Sequence, residues 1–142
     1  MQGTELKGAT FKYIESELYA YPDYQREIRQ IRDEIIHGQG EVDENIGAGK
    51  NSYRSPGQPT EIRATKLEAN KRLRRLEEIS NAIERVYEQL DDTQKNLVHL
   101  RYWSKRGANW EYVADECFVS RRTAFNYRRE IVYAIAHLLG EN

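Results

Sequence analysis

The sequence predicts an all-α protein. Apolar residues recur at steps of three and four along most of the chain, and no segment shows the strict alternation of a half-buried strand. Five glycines and two prolines concentrate between His37 and Pro59, where the periodic pattern stops. We therefore expect an N-terminal helical hairpin at 1–37, a flexible Gly-rich linker at 38–59, a long helix at 60–90 and a helix-turn-helix domain at 91–142.

Length and composition limit the classes of function. A chain of 142 residues makes one domain or two small ones. Its net charge of −1 indicates no particular partner, and its single cysteine, Cys117, excludes an internal disulfide framework and fits a reducing cytoplasm. The start of the sequence lacks the apolar run of a secretory leader, and no window approaches the ~18 apolar residues that a membrane span needs. We therefore expect a cytoplasmic protein without a membrane partner.

The N-terminal segment carries two apolar stripes, each typical of one helix face. Their members are Phe11, Ile14, Leu18 and Tyr21 in the first stripe, and Tyr24, Ile28, Ile31 and Ile35 in the second. Pro22 stands between the stripes, and proline is tolerated best in the first turn of a helix. The pattern therefore predicts a joint at Tyr21-Pro22 between two helices that fold back on each other.

The linker contains the segment GAGKNS, which looks like part of a phosphate-binding loop. Such a loop needs serine or threonine directly after its lysine, and it lies between a strand and a helix. Here Lys50 is followed by Asn51, and no strand is predicted before it. We therefore expect no nucleotide site in the linker, and no cofactor is predicted for the chain.

The long helix carries an unbroken apolar stripe. Its members are Ala69, Leu73, Leu76, Ser80, Ile83, Tyr87 and Leu90, widened by Ile79 and Val86. Two interpretations are open: the stripe joins two copies of the chain, or apolar residues of the N-terminal helices cover it within one chain. A helix-turn-helix protein generally reads two half-sites through twofold symmetry, which favours the homodimer.

Capping residues divide the C-terminal domain into three helices. The first is predicted to run to about Ser104, the second to start at Trp110, and the third to run from Ser120 to about Leu139. A side chain that accepts a backbone N–H favours a helix start, and glycine favours a helix end. The predicted caps are Asp91-Asp92, Asn109 and Ser120, and the predicted terminator of the last helix is Gly140.

The last two of these helices have the spacing of a helix-turn-helix motif. The motif requires small or apolar residues at its inward positions, which are Val113, Ala114, Cys117, Val119, Ala124 and Tyr127. Cys117 is interpreted as a small hydrophobe rather than as a reactive thiol. The joint at Phe118-Val119 is the weak point, because the chain there tends to need a left-handed conformation, for which glycine is usual.

The second helix of the motif carries the candidate DNA-binding residues. We expect contacts with base edges from Arg121, Arg122, Phe125 and Asn126. We expect contacts with phosphates from Thr123, Arg128 and Arg129, and from the helix N-terminus that Ser120 caps. From Arg101 to Arg129 the chain has seven basic and three acidic side chains, a local charge of +4.

Other interpretations of these residues are weaker. A run of charges usually only solvates the outer face of a surface helix, but no acidic residue lies between Ser120 and Arg129 to pair with the arginines. This pattern favours DNA contact. Tyr102, Trp103 and Trp110 would suit a base-stacking platform, but aromatic residues at these spacings are more often part of a core.

Two resemblances to known families follow from these motifs. Residues 90–138 resemble region 4 of bacterial sigma-70-type factors, through Leu97–Tyr102, Val113-Ala114, Val119-Ser120 and Arg122-Thr123. The whole chain resembles the RinA/ArpU-type phage transcriptional regulators, through Ala9–Glu15, Glu34–His37, Asp43–Gly47, Ala64–Leu67, Ala82–Tyr87 and Ser120–Ala124. The second resemblance implies a phage or prophage activator of late genes for packaging and morphogenesis, which binds double-stranded DNA and acts with host RNA polymerase. Asn126-Tyr127-Arg128 departs from the family pattern, so no base preference is carried over.

Three other functions find less support. A small-terminase-like packaging component also joins a helix-turn-helix to an oligomerising helix, but it would form a ring of many subunits rather than a dimer. A sigma-like factor would need a DNA-melting region for which the chain has no room. An enzyme is not expected, because His37, His99 and His137 show no ligand spacing and no catalytic or metal-binding constellation stands out.

Overall fold

The computed structural model describes residues 5–47, 58–104 and 108–141 of the chain. Over these ranges the elements are helices joined by turns, without a strand, which confirms the predicted all-α class. The helices are α1 (Gly8–Gly47), α2 (Gln58–Glu88), α3 (Asp92–Val98), α4 (Trp110–Glu116) and α5 (Arg121–Leu139). A π-helical segment, His99–Trp103, continues α3. No helix in the described ranges combines the length and the apolar character that a membrane crossing requires.

Helix α1 runs through Pro22 without a break, so the predicted joint at Tyr21-Pro22 and the hairpin within 1–37 are wrong. Proline has no N–H to donate to the carbonyl four residues earlier, which here belongs to Leu18. The indole Nε1–H of Trp103 donates to that carbonyl at 3.0 Å. Its ring also stacks on Tyr21, with 5.1 Å between the ring centroids. A distant tryptophan therefore replaces the missing helical hydrogen bond.

This arrangement predicts that Trp103→Phe lowers the free energy of unfolding by about 1–2 kcal/mol, because the Leu18 carbonyl loses its donor. In a Pro22→Ala background the alanine N–H supplies a helical donor, and the same substitution should cost less. Urea denaturation of the four proteins measures the difference. An equal cost in both backgrounds would contradict the role assigned to Trp103.

Both ends of the predicted linker at 38–59 are helical. Residues 38–47 belong to α1, and α2 begins at Gln58. An isolated glycine in a helix costs only about 1 kcal/mol relative to alanine, so Gly38 and Gly40 weaken α1 without ending it. Residues 48–57, which include most of the GAGKNS segment, lie outside the described residues.

The chain divides into two compact units, one formed by Met1–Asp23 with Glu78–Asn142 and the other by Tyr24–Glu77. In the second unit, two ion pairs join α1 to α2. The Arg72 Nε donates to Glu27 Oε2 at 2.8 Å, and the Arg32 guanidinium donates to Glu77. Both arginines are exposed, so each pair stabilises the unit by less than about 1 kcal/mol.

The core of the first unit draws on all five helices. Its largest fully buried side chains are Ile14, Leu18, Ile83, Leu97, Val98, Val113, Val132 and Ile135. The apolar stripe of α2 is buried within a single chain from Leu76 to Val86, including Ile79, Ser80 and Ile83. This part of the stripe is therefore buried within one chain, and no second copy is needed to cover it.

Candidate nucleic-acid interface

The helices around the motif start where the sequence predicts, because each start has a capping side chain. The Asn109 carboxamide oxygen accepts the Tyr112 N–H at 2.8 Å and begins α4. At the start of α3, Asp91 accepts the Gln94 N–H at 2.8 Å, and Gln94 accepts the Asp91 N–H at 3.1 Å. This reciprocal pair is a capping box, which stabilises the first turn of the helix.

The turn between α4 and α5 is a Schellman motif, in which two N–H groups bond back to the last carbonyls of a helix. The Val119 N–H donates to Ala114 at 3.0 Å, and the Phe118 N–H donates to Asp115 at 3.2 Å. Phe118 has a φ of 58°, so the expected left-handed conformation is confirmed. The end of α5 has the same motif around Gly140, whose φ is 72°. The motif therefore forms with phenylalanine at a position where glycine is unstrained.

We expect Phe118→Gly to raise the free energy of unfolding. A left-handed conformation costs an L-residue about 1–2 kcal/mol, and Phe118 is 95% exposed, so almost no packing is lost. After the extra chain entropy of glycine, a net gain of about 0.5–1 kcal/mol is expected. Gly140→Ala is the matched control, because its added Cβ meets no atom within 4 Å and tests strain alone. The melting temperature should rise for Phe118→Gly and fall for Gly140→Ala. A lower melting temperature for Phe118→Gly would contradict the strain.

Helix α5 starts at Ser120, whose Oγ accepts the Thr123 N–H at 3.0 Å. The predicted cap is therefore confirmed, and Ser120 itself is exposed. The inward positions of the motif behave as predicted. Val113, Ala114, Cys117 and Ala124 are buried, and Val119 and Tyr127 are half-buried. Burial, and then the Glu116 carboxylate, raise the pKa of Cys117, so its thiol remains protonated and acts as a small apolar group.

Most of the predicted DNA-binding side chains lie on the exposed side of α5. Arg121, Arg122, Asn126 and Arg129 are exposed, and Thr123 is half-buried. Arg122, Asn126 and Arg129 share one face, since residues at steps of four and three line up along a helix. The Arg129 Nη2 lies 3.8 Å from the Glu5 carboxylate, but both side chains are more than half exposed. This pair is too exposed to hold Arg129 strongly.

Phe125 and Arg128 occupy different positions from the exposed group. Phe125 is half-buried and packs on Trp110, with 5.4 Å between the ring centroids. The Arg128 guanidinium lies over both rings, 5.3 Å from Trp110 and 5.9 Å from Phe125. It also donates two hydrogen bonds of 2.7 Å to the carboxylate of Glu15 in α1. Arg128 therefore has an intramolecular partner where the sequence analysis expected a phosphate.

Glu15 is the buried centre of this network, with 8% of its surface exposed. Its Oε2 also accepts the Tyr102 hydroxyl at 2.6 Å. Burial alone raises the pKa of Glu15, but the hydrogen bonds from Arg128 and Tyr102 and the charges of Arg128 and Arg101 outweigh it, so the pKa is lowered. Burial, followed by the hydrogen bond to Glu15, raises the pKa of Tyr102. The carboxylate is therefore ionised and the phenol neutral.

Glu15 was missed by the sequence analysis, although a signal was present. It lies four residues after Phe11 and three before Leu18, within the apolar stripe of α1. A carboxylate on a buried face needs a charged or hydrogen-bonding partner elsewhere in the fold.

The ionised carboxylate of Glu15 should make the free energy of unfolding depend on pH. Because its pKa is lowered on folding, its contribution is complete above its ordinary pKa of 4.5 and is lost as the pH falls through the lower folded value. We expect wild type to be more stable than Glu15→Gln at about pH 7, and the difference to shrink at about pH 3. Urea denaturation at the two pH values measures it. A difference that does not change with pH would mean that the carboxylate is not charged in the fold.

The aromatic residues of the motif belong to the core, as the sequence analysis favoured. Tyr102 is buried, and Trp103 is held by its hydrogen bond to Leu18. Trp110 meets Tyr102 edge-on, with 6.3 Å between the ring centroids. Tyr102 is therefore a core residue, and the half-buried Trp103 and Trp110 pack against neighbouring helices. Among the described residues, no group of three or more histidine, cysteine, aspartate or glutamate side chains is arranged to hold a metal ion.

Comparison with known proteins places the chain in a family. The profile of the family described as "Protein of unknown function (DUF722)" matches residues 12–137. The chain belongs to this family. The DUF722 match begins in α1 and ends in α5, so it covers the network around Glu15 as well as the helix-turn-helix.

A relative of this DUF722 protein is the "Transcriptional activator rinA" of Staphylococcus phage phi11. The two are 28% identical over 137 residues, which cover 96% of this chain and 95% of the relative. The resemblance to RinA-type regulators is therefore confirmed. No solved structure matches the chain significantly.

Proposed function

We propose that the chain is a phage transcriptional activator that binds double-stranded DNA through α5. One observation carries the proposal: Arg121, Arg122 and Asn126 are exposed in the first turns of a helix whose opposite side is buried. Arginine pairs with guanine and asparagine with adenine in the major groove. The free N–H groups of the helix start, which Ser120 caps, suit a phosphate.

The arrangement of charge favours DNA contact over a merely solvated surface. The acidic side chain that pairs with Arg128 comes from α1, and it leaves the arginines of the first turn unneutralised. Among the described residues, no salt bridge involves Arg121 or Arg122, and the Arg121 guanidinium lies 5.9 Å from the centre of the Phe125 ring. Two unpaired arginines beside a capped helix start attract the DNA backbone and remain available to base edges.

The finer parts of the proposal rest on the named relative and on the geometry of such motifs. A protein called a transcriptional activator, matching along almost the whole chain, supports the same role here. We propose that the chain acts in the cytoplasm of the bacterial host, on phage late genes and with host RNA polymerase. We also propose that it binds as a homodimer, because twofold symmetry presents two reading helices to two half-sites.

The test is selection of bound sites from random double-stranded DNA, followed by gel-shift titration and a solution mass by light scattering. The proposal predicts an enriched sequence with two related half-sites and a mass of two chains. No enrichment over random DNA would overturn the proposed function. A ring of many subunits would instead favour a packaging component of the small-terminase type.

A further inference from the structure

We propose that Glu15 is a positioning residue for DNA reading. Through Arg128 it fixes the rotation of α5 about its axis, and so fixes where Arg122 and Asn126 meet the base pairs. The inference rests on the proposed function, and it gives the N-terminal helix a part in recognition that the motif alone does not contain.

One carboxylate, that of Glu15, joins three helices. Glu15 belongs to α1, Tyr102 to the π-helical segment that continues α3, and Arg128 to α5. Both carboxylate oxygens bond to Arg128 at 2.7 Å. The guanidinium is planar, so two parallel hydrogen bonds fix its direction as well as its distance. A single bond to a flexible lysine would not restrain the helix in this way.

Leu6, which precedes α1, and Phe11, in its first turn, both contact α5. The Leu6 N–H donates to the Tyr133 hydroxyl at 3.2 Å, and the Phe11 ring meets Tyr133 edge-on at 6.4 Å. The Arg128 guanidinium lies 5.1 Å from the centre of the Phe11 ring. The Arg128 guanidinium therefore lies close to an aromatic ring of α1 and to the Trp110 ring of α4. Both elements restrain the same side chain.

An ion pair of this kind contributes more to specificity than to stability. A buried ion pair is seldom more stabilising than apolar residues of the same size, but it specifies one arrangement of the elements it joins. The exposed face of α5, which carries Arg122 and Asn126, needs that arrangement to meet the base pairs. A rotation of α5 by about 20° would move its Cα atoms, about 2.3 Å from the axis, by roughly 0.8 Å, and the arginine tips by more. A binding constellation must be held to within about 0.5 Å, so this rotation would break base contacts.

Base contacts and phosphate contacts should respond differently to such a rotation. A hydrogen bond to a base edge depends on distance and angle. Long-range attraction to phosphates depends mainly on the number of charges, which a rotation leaves unchanged. Loss of the Glu15 carboxylate removes one negative charge, which strengthens attraction to the selected and the random duplex alike. Loss of positioning weakens binding to the selected duplex alone, so we expect the ratio of the two affinities to fall. This difference separates positioning from simple stabilisation, which would lower both in proportion to the folded fraction.

The experiment uses the full chain, with Glu15→Gln as the variant and Glu5→Gln as its matched control. Glu5 also pairs with an arginine of α5, but at 3.8 Å and largely exposed. Titrations against the selected duplex and a random duplex are made well below each melting temperature, with folding checked by circular dichroism. We expect Glu15→Gln to lower the ratio of the two affinities about tenfold, the size of one lost base contact, and Glu5→Gln to change it by less than about twofold.

Each outcome is decisive. A folded Glu15→Gln variant that keeps the wild-type ratio overturns the inference, while the proposed function stands as long as wild type prefers its selected duplex. A wild type without any preference overturns the proposed function itself. If Glu15→Gln does not fold, Arg128→Lys carries the same test, because it keeps the charge of α5 and removes the planar pair. That variant should lower the ratio with an unchanged salt dependence on random DNA, and an unchanged ratio again overturns the inference.

Discussion

Ile83→Glu is expected to unfold the first unit at neutral pH. Ile83 is 1% exposed in a single chain, so the new carboxylate would be buried without a partner. It would either remain charged in an apolar core or take up a proton at a large cost. We expect the free energy of unfolding to fall by about 4 kcal/mol or more, which is enough to unfold many small domains. Circular dichroism and urea denaturation measure the loss.

Leu67→Glu on the same helix is the control, because Leu67 is 61% exposed. It adds the same charge to α2 and should leave stability nearly unchanged. Light scattering on both variants separates the two interpretations of the α2 stripe. A folded Ile83→Glu protein with half the wild-type mass would mean that this part of the stripe joins two chains, contrary to its burial within one.

Arg122→Ala is expected to weaken binding to the selected duplex by about 1–3 kcal/mol, roughly 5- to 150-fold, and to relax base choice at one position. Arg122 is exposed on the same face of α5 as Asn126, and we propose that its guanidinium pairs with a guanine edge. Its removal leaves a base without its donor. Gel-shift titration and a repeated selection measure the affinity and the preference.

Two other arginines serve as controls for this result. Arg74→Ala removes an exposed charge in the second unit and should change DNA affinity little. Arg129→Ala should weaken all duplexes alike and lower the salt slope by about 0.9, the share of one phosphate. If Arg122→Ala binds the selected duplex with wild-type affinity, Arg122 does not contact a base.

The sequence predicted those features of the site that depend on neighbouring residues. Asn109, Ser120 and Gly140 start or end helices through contacts within a few residues, and all three act as predicted. The spacing of the two helices indicated a left-handed residue at this joint, where glycine is usual, and Phe118 adopts that conformation. The exposure of Arg122 follows from the apolar pattern on the other side of α5. Helix caps, the turn and the exposed face of α5 can therefore be predicted from nearby residues.

The features that were not foreseen depend on partners far along the chain. A proline in an apolar pattern normally ends a helix, and nothing near Pro22 reveals that Trp103 supplies the missing donor. In the sequence analysis, Arg128 was expected to contact a phosphate. Arg128 lies four residues after Ala124 and three before Ile131, and both are buried. The helical periodicity would therefore have placed Arg128 on the inner face of α5. Its partner Glu15 required the tertiary structure.

The central claim is that the exposed face of α5 contacts the base pairs, and chemical-shift perturbation tests it most directly. The labelled full chain is titrated with the selected duplex, and backbone amides and arginine side chains are followed. We expect the largest changes from Ser120 to Asn126 and at the Arg122 guanidinium, with small changes along the second unit. Large changes elsewhere, with the face of α5 unperturbed at saturation, would contradict the claim.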